Sequence, residues 1–336
     1  MQKKKNFLGI REIASLAGVS TATVSRVLNS PQATSEKTRK KVMEIIREYD
    51  YVPNMSAKAL FSGQSNTIAL FVFDMYNPFY ISFIKELNLI ALEHNYILII
   101  CDAADEPERE EKYYNFCKSN RCAGIVYSAG STRKYVGGNE SYNNIPIVIF
   151  DRSPFQDANC YSIKSDDDKA MQLLTDYLYK MNHRKIGFIG ANDALVSAKE
   201  RLRSFHKHMN RLGLEVPPHY IKSGNFTVQN GVDAFDYFYP MSDAPTAIIA
   251  ANDQIAQGFV SRARSLNINI PQEFSVCGID GVDYDPFYPR ITSVKQNIRE
   301  MAAAAFDFII NADKIPAPAT KVIDVTLRIG QTCQKI

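Results

Sequence analysis

Eight polar and three aromatic side chains stand just past short apolar runs, and their types fit one kind of chemistry. Asn77 follows the run ending at Phe73, and Asp151 and Arg152 follow Phe150. Ser197 and Arg201 come after Gly190, Asn252 after Ala251, Asp280 after Ile279 and Gln296 after Lys295. Phe79, Tyr80 and Phe226 lie close to these positions. Amides, carboxylates and guanidinium groups are fixed donors and acceptors that match vicinal hydroxyls, and an arginine fork reaches two oxygens at once. Aromatic rings stack on the apolar face of a sugar ring, and a few such rings with convergent polar groups make a small-ligand pocket. Each residue also has a plainer role. Asp151, Asn252 and Asp280 suit helix caps, Arg152 and Arg201 suit surface ion pairs, and Phe79 and Phe226 suit a core. Their shared placement at strand ends favours the ligand reading.

The elements that must position them alternate. Apolar runs at 67–73, 96–101, 124–127, 145–150, 186–190, 246–251 and 274–279 read as strands. Amphipathic stretches at 79–94, 167–181, 198–212, 253–266 and 297–311 read as helices between them. Repeated strand–helix units predict parallel sheets covered on both faces, and there are too many strands for one sheet. Two α/β subdomains with a cleft between them are therefore expected, with ligand beyond the carboxyl ends of the strands.

The first 65 residues differ. They hold eleven Lys/Arg against five Asp/Glu, while the remainder holds 28 against 31, so a basic head sits on a slightly acidic body. Such a head suits a polyanion. Ile10, Ile13, Ala14 and Ala17 make one helical stripe ending at Gly18. Ser20 suits the cap of a second helix, whose Val24, Val27 and Leu28 turn inward. A third follows Thr34-Ser35, with Val42, Ile45, Ile46 and Tyr49 inward. Two helices separated by a tight turn form a helix-turn-helix, and Ser20, Thr21, Ala22, Ser25, Arg26 and Asn29 then face base edges and phosphates.

The run from Ile10 to Asn29, continued through Ser35–Arg39 and Tyr51–Asn54, resembles the DNA-binding head of the lactose/galactose repressor family, and the likeness extends over essentially the whole chain. The resemblance implies a two-lobed ligand domain similar to periplasmic sugar-binding proteins behind an all-α helix-turn-helix head. Expected boundaries are 1–50 for the head, 51–65 for a hinge helix and linker, and 66–336 for ligand binding and dimerisation. Lobe 1 would take 66–166 and 298–323, and lobe 2 would take 167–297 and 324–336. In the family the hinge helix folds with its dimer mate in the DNA minor groove, which places Asn54, Ala57, Lys58 and Leu60 against DNA with Leu60 as a wedge. Lys58, where relatives often carry Arg, and Phe61 depart from the family pattern. By the same resemblance Asn77, Phe79, Asp151, Arg152, Arg201, Phe226, Asn252, Asp280 and Gln296 match ligand-contacting positions of ribose-binding relatives, which favours a pentose. Tyr80 stands where a second Phe is frequent. The expected partners are palindromic operator DNA, a sugar effector and a second copy of the chain; in some relatives a phosphorylated carrier protein is the effector instead.

Other classes fit less well. Nucleotide-loop and hydrolase-elbow patterns are absent, and no carboxylate pair is marked out as acid and base, so neither an enzyme nor a cofactor is expected. A secreted sugar carrier is disfavoured by the basic head and by the lack of an apolar leader after Lys3-Lys4-Lys5. With no apolar run near the length of a membrane span, the expected location is the cytoplasm. The six cysteines lack metal-ligand or disulfide spacing. No heptad run follows the last strand pattern, so a dimer is expected rather than a coiled-coil tetramer.

Overall fold

Central parallel strands buried on both faces read as unbroken apolar runs, and two sheets of this kind organise most of the chain. The computed structural model describes residues 8–52, 64–103, 106–128, 145–151, 160–191, 196–282, 288–316 and 318–336. Contacts divide the chain into two units, one ending at Ser65 and one beginning at Asn66.

The first unit is helical: α1 (Ile10–Ala17), α2 (Thr21–Asn29) and α3 (Glu36–Glu48) enclose Ile13, Ala14, Ala17, Val24, Val27 and Val42. Gly18 ends α1 in the left-handed region at φ 63°, donating its N–H to the Ala14 and Ser15 carbonyls. A side chain there would be strained, which is why the turn takes glycine. Ser20 and Ser35 cap α2 and α3, their hydroxyls accepting from Thr23 N at 3.1 Å and Thr38 N at 3.2 Å. Tyr49, expected inward, is 45% exposed. It caps α3 rather than continuing its stripe, and Tyr51 packs on the core instead.

In the second unit, one sheet contains β1 (Thr67–Val72), β2 (Ile97–Asp102), β3 (Gly124–Ser128), β4 (Ile147–Phe150), β5 (Tyr161–Ser165) and β11 (Ala319–Ile323), in the order β11-β5-β4-β3-β1-β2 and all parallel. On one face α4 (Pro78–Glu93) and α10 (Ile298–Ile310) pack Phe79, Phe83, Leu87, Met301 and Ala305 against Ile68, Leu70 and Val126. Over the other lies α5 (Pro107–Ser119), with Tyr114 and Cys117 against Phe71 and Ile125.

The other sheet has β6 (Ile186–Ile189), β7 (Ile221–Lys222), β8 (Ala247–Ala250), β9 (Ser275–Asp280), β10 (Thr292–Gln296) and β12 (Val325–Arg328), in the order β12-β10-β9-β8-β6-β7. Only β12 runs antiparallel, against β10. Helices α6 (Asp167–Lys180), α7 (Val196–Arg211), α8 (Val228–Phe238) and α9 (Asp253–Ser265) accompany it. Every residue of β6, β8 and β9 is buried. Helices α8 and α9 touch backbone to backbone: a Cβ on Gly258 would stand 1.9 Å from the Val228 carbonyl oxygen. The chain passes from the first sheet to the second after β5, returns through α10 to β11, and crosses once more into β12.

The six cysteines are free thiols, and the Sγ atoms of Cys277 on β9 and Cys333 near the C-terminus lie 3.4 Å apart. Among the described residues no helix is long and apolar enough to cross a membrane, and no cluster has the makings of a metal site.

Candidate functional site

The carboxyl ends of both sheets open onto one cleft. It is lined by Phe73, Asp74, Asn77, Phe79, Tyr80 and Asp151 from the first lobe, and by Ser197, Arg201, Phe226, Asn252 and Asp280 from the second. Its empty volume, mouth included, is about 440 Å³.

Local structure accounts for the aim of each group. Asn77 and Asn252 cap α4 and α9, their Oδ1 atoms accepting from Phe79 N and Ile255 N at 3.0 Å. Both are therefore caps and cleft residues at once, buried to 8% and 2% exposure. Phe79 stacks on Phe150 at 5.6 Å and meets Tyr80 edge-on at 5.4 Å, which fixes both rings at the cleft wall. Asp151 follows β4 in the left-handed region at φ 62°, and the Tyr80 hydroxyl donates to its Oδ2 at 3.3 Å.

Arg201 is held on two sides. Its Nε donates to Asp167 Oδ1 at 2.8 Å and its Nη1 to the Ala251 carbonyl at 2.6 Å, and its charge lies 5.8 Å over the Phe226 ring. Burial would favour deprotonation, but Asp167, Asp151 and Asp280 more than offset it and keep the guanidinium charged. Asp280 ends β9 at 4% exposure. Its Oδ1 accepts from Gln296 Nε2 at 2.8 Å, whereas its Oδ2 is buried with no hydrogen-bond partner among the described residues. Burial, followed by the charge of Asp253, pushes the Asp280 carboxyl well above its ordinary range. An orphaned buried acceptor at a cleft wall calls for a donor from a ligand, because leaving it unmade is costly.

Behind the wall, Asp253 accepts from Ser293 Oγ at 2.5 Å and Gly281 N at 2.9 Å, bracing the turn after Asp280. Burial raises the Asp253 pKa from 3.8 to about 6. A carboxyl raised on folding binds more protons in the native state, so its contribution to stability grows as pH falls from about 6 towards 4. Thermal melts across that window should show Asp253→Asn losing this part of the pH slope; an unaltered slope would refute the assignment.

On the head, Thr21, Ala22, Arg26 and Asn29 are exposed on α2 and Ser25 is half-buried. Asn29 Nδ2 donates to the Ser25 carbonyl at 3.0 Å. Arg26 has no described ion pair, and short polar groups with one free arginine on an exposed helix face can read a major groove.

Residues 9–54 match the lacI family of bacterial regulatory proteins, and residues 175–333 match a periplasmic binding protein-like domain. The chain carries a lacI-family helix-turn-helix head followed by a periplasmic-binding-protein-like ligand domain. With these two domains it is a DNA-binding transcriptional regulator of lacI type. It is similar to the HTH-type transcriptional repressor PurR of Vibrio cholerae, at 29% identity over 91% of each chain. It is also similar to the HTH-type transcriptional repressor CytR of Escherichia coli, at 27% identity over 92% of this chain and 91% of that one. Among solved structures, the Lac repressor dimer bound to operator and the anti-inducer ONPF superposes with a TM-score of 0.82 at 22% identity, over 97% of this chain and 99% of that one. A regulator CelR–cellobiose complex gives 0.66 at 22% identity over the same shares.

In this lacI-type regulator, nine of the effector residues expected from sequence line the cleft. Gln296 does not line it: it is 1% exposed and acts behind the wall, holding Asp280 while its own Oε1 accepts from Ser165 of the other lobe. Arg152, Asn54, Ala57, Lys58 and Leu60 lie outside the described residues. Phe73 and Asp74 line the cleft but were not expected. Their signal was present, since they directly follow β1, yet Asn77 drew the attention as the stronger donor–acceptor group. Asp167 was missed as the partner of Arg201, because an acid opening a helix reads as an ordinary first-turn charge.

Proposed function

We propose that this regulator is a repressor that binds a palindromic operator as a homodimer and whose operator affinity is set by a small sugar-type effector in the cleft, a ribose-like pentose being favoured. The observation that carries this reading is the Asp280 carboxyl oxygen, buried without a partner among the described residues in the same cleft that Arg201 lines. A donor and an acceptor lining one cleft suit a ligand's hydroxyls, and Phe79, Tyr80 and Phe226 supply apolar faces. Cellobiose in the CelR complex supports a sugar-type ligand in a fold of this kind. Ligand drawing the lobes together would turn them relative to each other and alter the pairing of the hinge segments, changing DNA affinity. For the homodimer, the support is an apolar edge on the first lobe: Ile81, Leu89 and Leu92 on α4, Ile97 and Ile100 on β2 and Phe116 on α5 are all exposed. Repressor activity is supported by the PurR and CytR relatives, and a cytoplasmic location fits a protein that must reach DNA.

A thermal-shift screen of the full chain against pentoses, hexoses, their phosphates, nucleosides and nucleobases tests the effector class, because a ligand that binds only the folded state raises Tm. A rise with a pentose supports the reading. A rise confined to non-sugars, or none, contradicts it.

On the head, Arg26→Ala should weaken operator binding by about 1–3 kcal/mol and relax preference at one base position if Arg26 reads a base. A shallower salt dependence with unchanged sequence preference would assign it to phosphate.

A further inference from the structure

We infer that the cleft takes an uncharged ligand and rejects the phosphorylated or carboxylated form of the same molecule. The inference rests on the sugar-type reading above and adds the charge class.

Anion sites are built from uncommitted cations, backbone N–H groups or helix N-termini turned on the ligand. Among the described lining residues Arg201 is the one cation, and two arms of its guanidinium are spent on Asp167 and the Ala251 carbonyl. Three carboxylates, Asp74, Asp151 and Asp280, share the wall with it. Two helix N-termini at the cleft, those of α4 and α9, are closed by their own caps, since Asn77 takes the Phe79 N–H and Asn252 takes the Ile255 N–H. The oxygen without a partner among the described residues is Asp280 Oδ2 at 4% residue exposure: ionised it accepts from a hydroxyl or N–H and repels a phosphate oxygen, and protonated it pairs with a neutral hydroxyl. Protonation of Asp280 would add no cation.

Two like charges about 5 Å apart at an effective dielectric near 20 weaken binding on the order of a hundredfold.

The test is calorimetric titration of the full chain with matched pairs: D-ribose and ribose 5-phosphate, and a pyrimidine and a purine nucleoside with their 5′-monophosphates. The neutral member of the bound pair should bind about a hundredfold more tightly than its ester. Excess inorganic phosphate should not displace it, and Asp151→Asn should narrow the gap. An ester that binds as tightly as the neutral molecule, or a gap unmoved by Asp151→Asn, overturns the inference and leaves the sugar-type reading standing. Failure of every pair, with no shift for any other sugar, removes both.

Discussion

Asp280→Ala is expected to abolish the response to effector while operator binding in its absence stays within twofold or so of the parent chain. The carboxyl group is 4% exposed, is positioned by Gln296 and has one oxygen without a hydrogen-bond partner among the described residues. Removing one partner of a buried, charge-assisted hydrogen bond costs about 2–5 kcal/mol of affinity. The head carries none of this network, since its helices and core form a separate unit. Calorimetry with the effector and anisotropy with operator read the two effects independently. An unchanged effector titration would take Asp280 out of the site.

Arg201→Ala should cause the largest loss of stability. It leaves Asp167, 8% exposed, as a buried carboxylate without its ion-pair partner, and takes a donor from the Ala251 carbonyl at the foot of α9. Breaking a buried pair from one side costs about 3–5 kcal/mol. That corresponds to roughly 5–9 °C in the melting temperature of a unit this size. Asp167→Ala in the same chain should restore much of the loss, because the uncompensated charge goes with it. If the double variant melts no higher than Arg201→Ala alone, the pair is not what holds that region. Arg201→Ala should also lose effector binding, which the double variant would not regain.

The parts of the fold visible in sequence are those buried on both faces. Runs such as 67–73, 246–251 and 274–279 have no solvent side, so they stay apolar almost throughout, with Ser275 the one polar residue inside them, and each contains a central strand. Strands outside the runs read from sequence are β5, β11 and β12. Ser162 and Ser165 break the apolar reading of β5 although both are buried, and β11 and β12 lie at sheet edges where side chains face solvent. Helix α5 was hidden by its charges: Glu110, Tyr114 and Cys117 form its inner stripe, and a glutamate at 1% exposure cannot be anticipated from pattern alone. Its burial follows from a tertiary partner, the Tyr127 hydroxyl at 2.8 Å.

The cleft was legible for a related reason. In parallel sheets the positions after the strands are fixed by topology, so finding the strands places Asn77, Asp151, Asn252 and Asp280 together. What spacing could not convey is how many roles one residue fills. Asn77 and Asn252 both cap and line, and Gln296 supports from behind.

Ligand control of DNA binding is tested most directly by titrating the full chain onto a DNA site it has itself selected from a random pool, at fixed salt, with and without saturating effector. Coupling of about 1–3 kcal/mol changes operator affinity by roughly 5–150-fold. Such a shift, lost in Asp280→Ala, is the expected result. Equal operator affinity for the free chain and for a chain whose cleft calorimetry shows to be filled would contradict it.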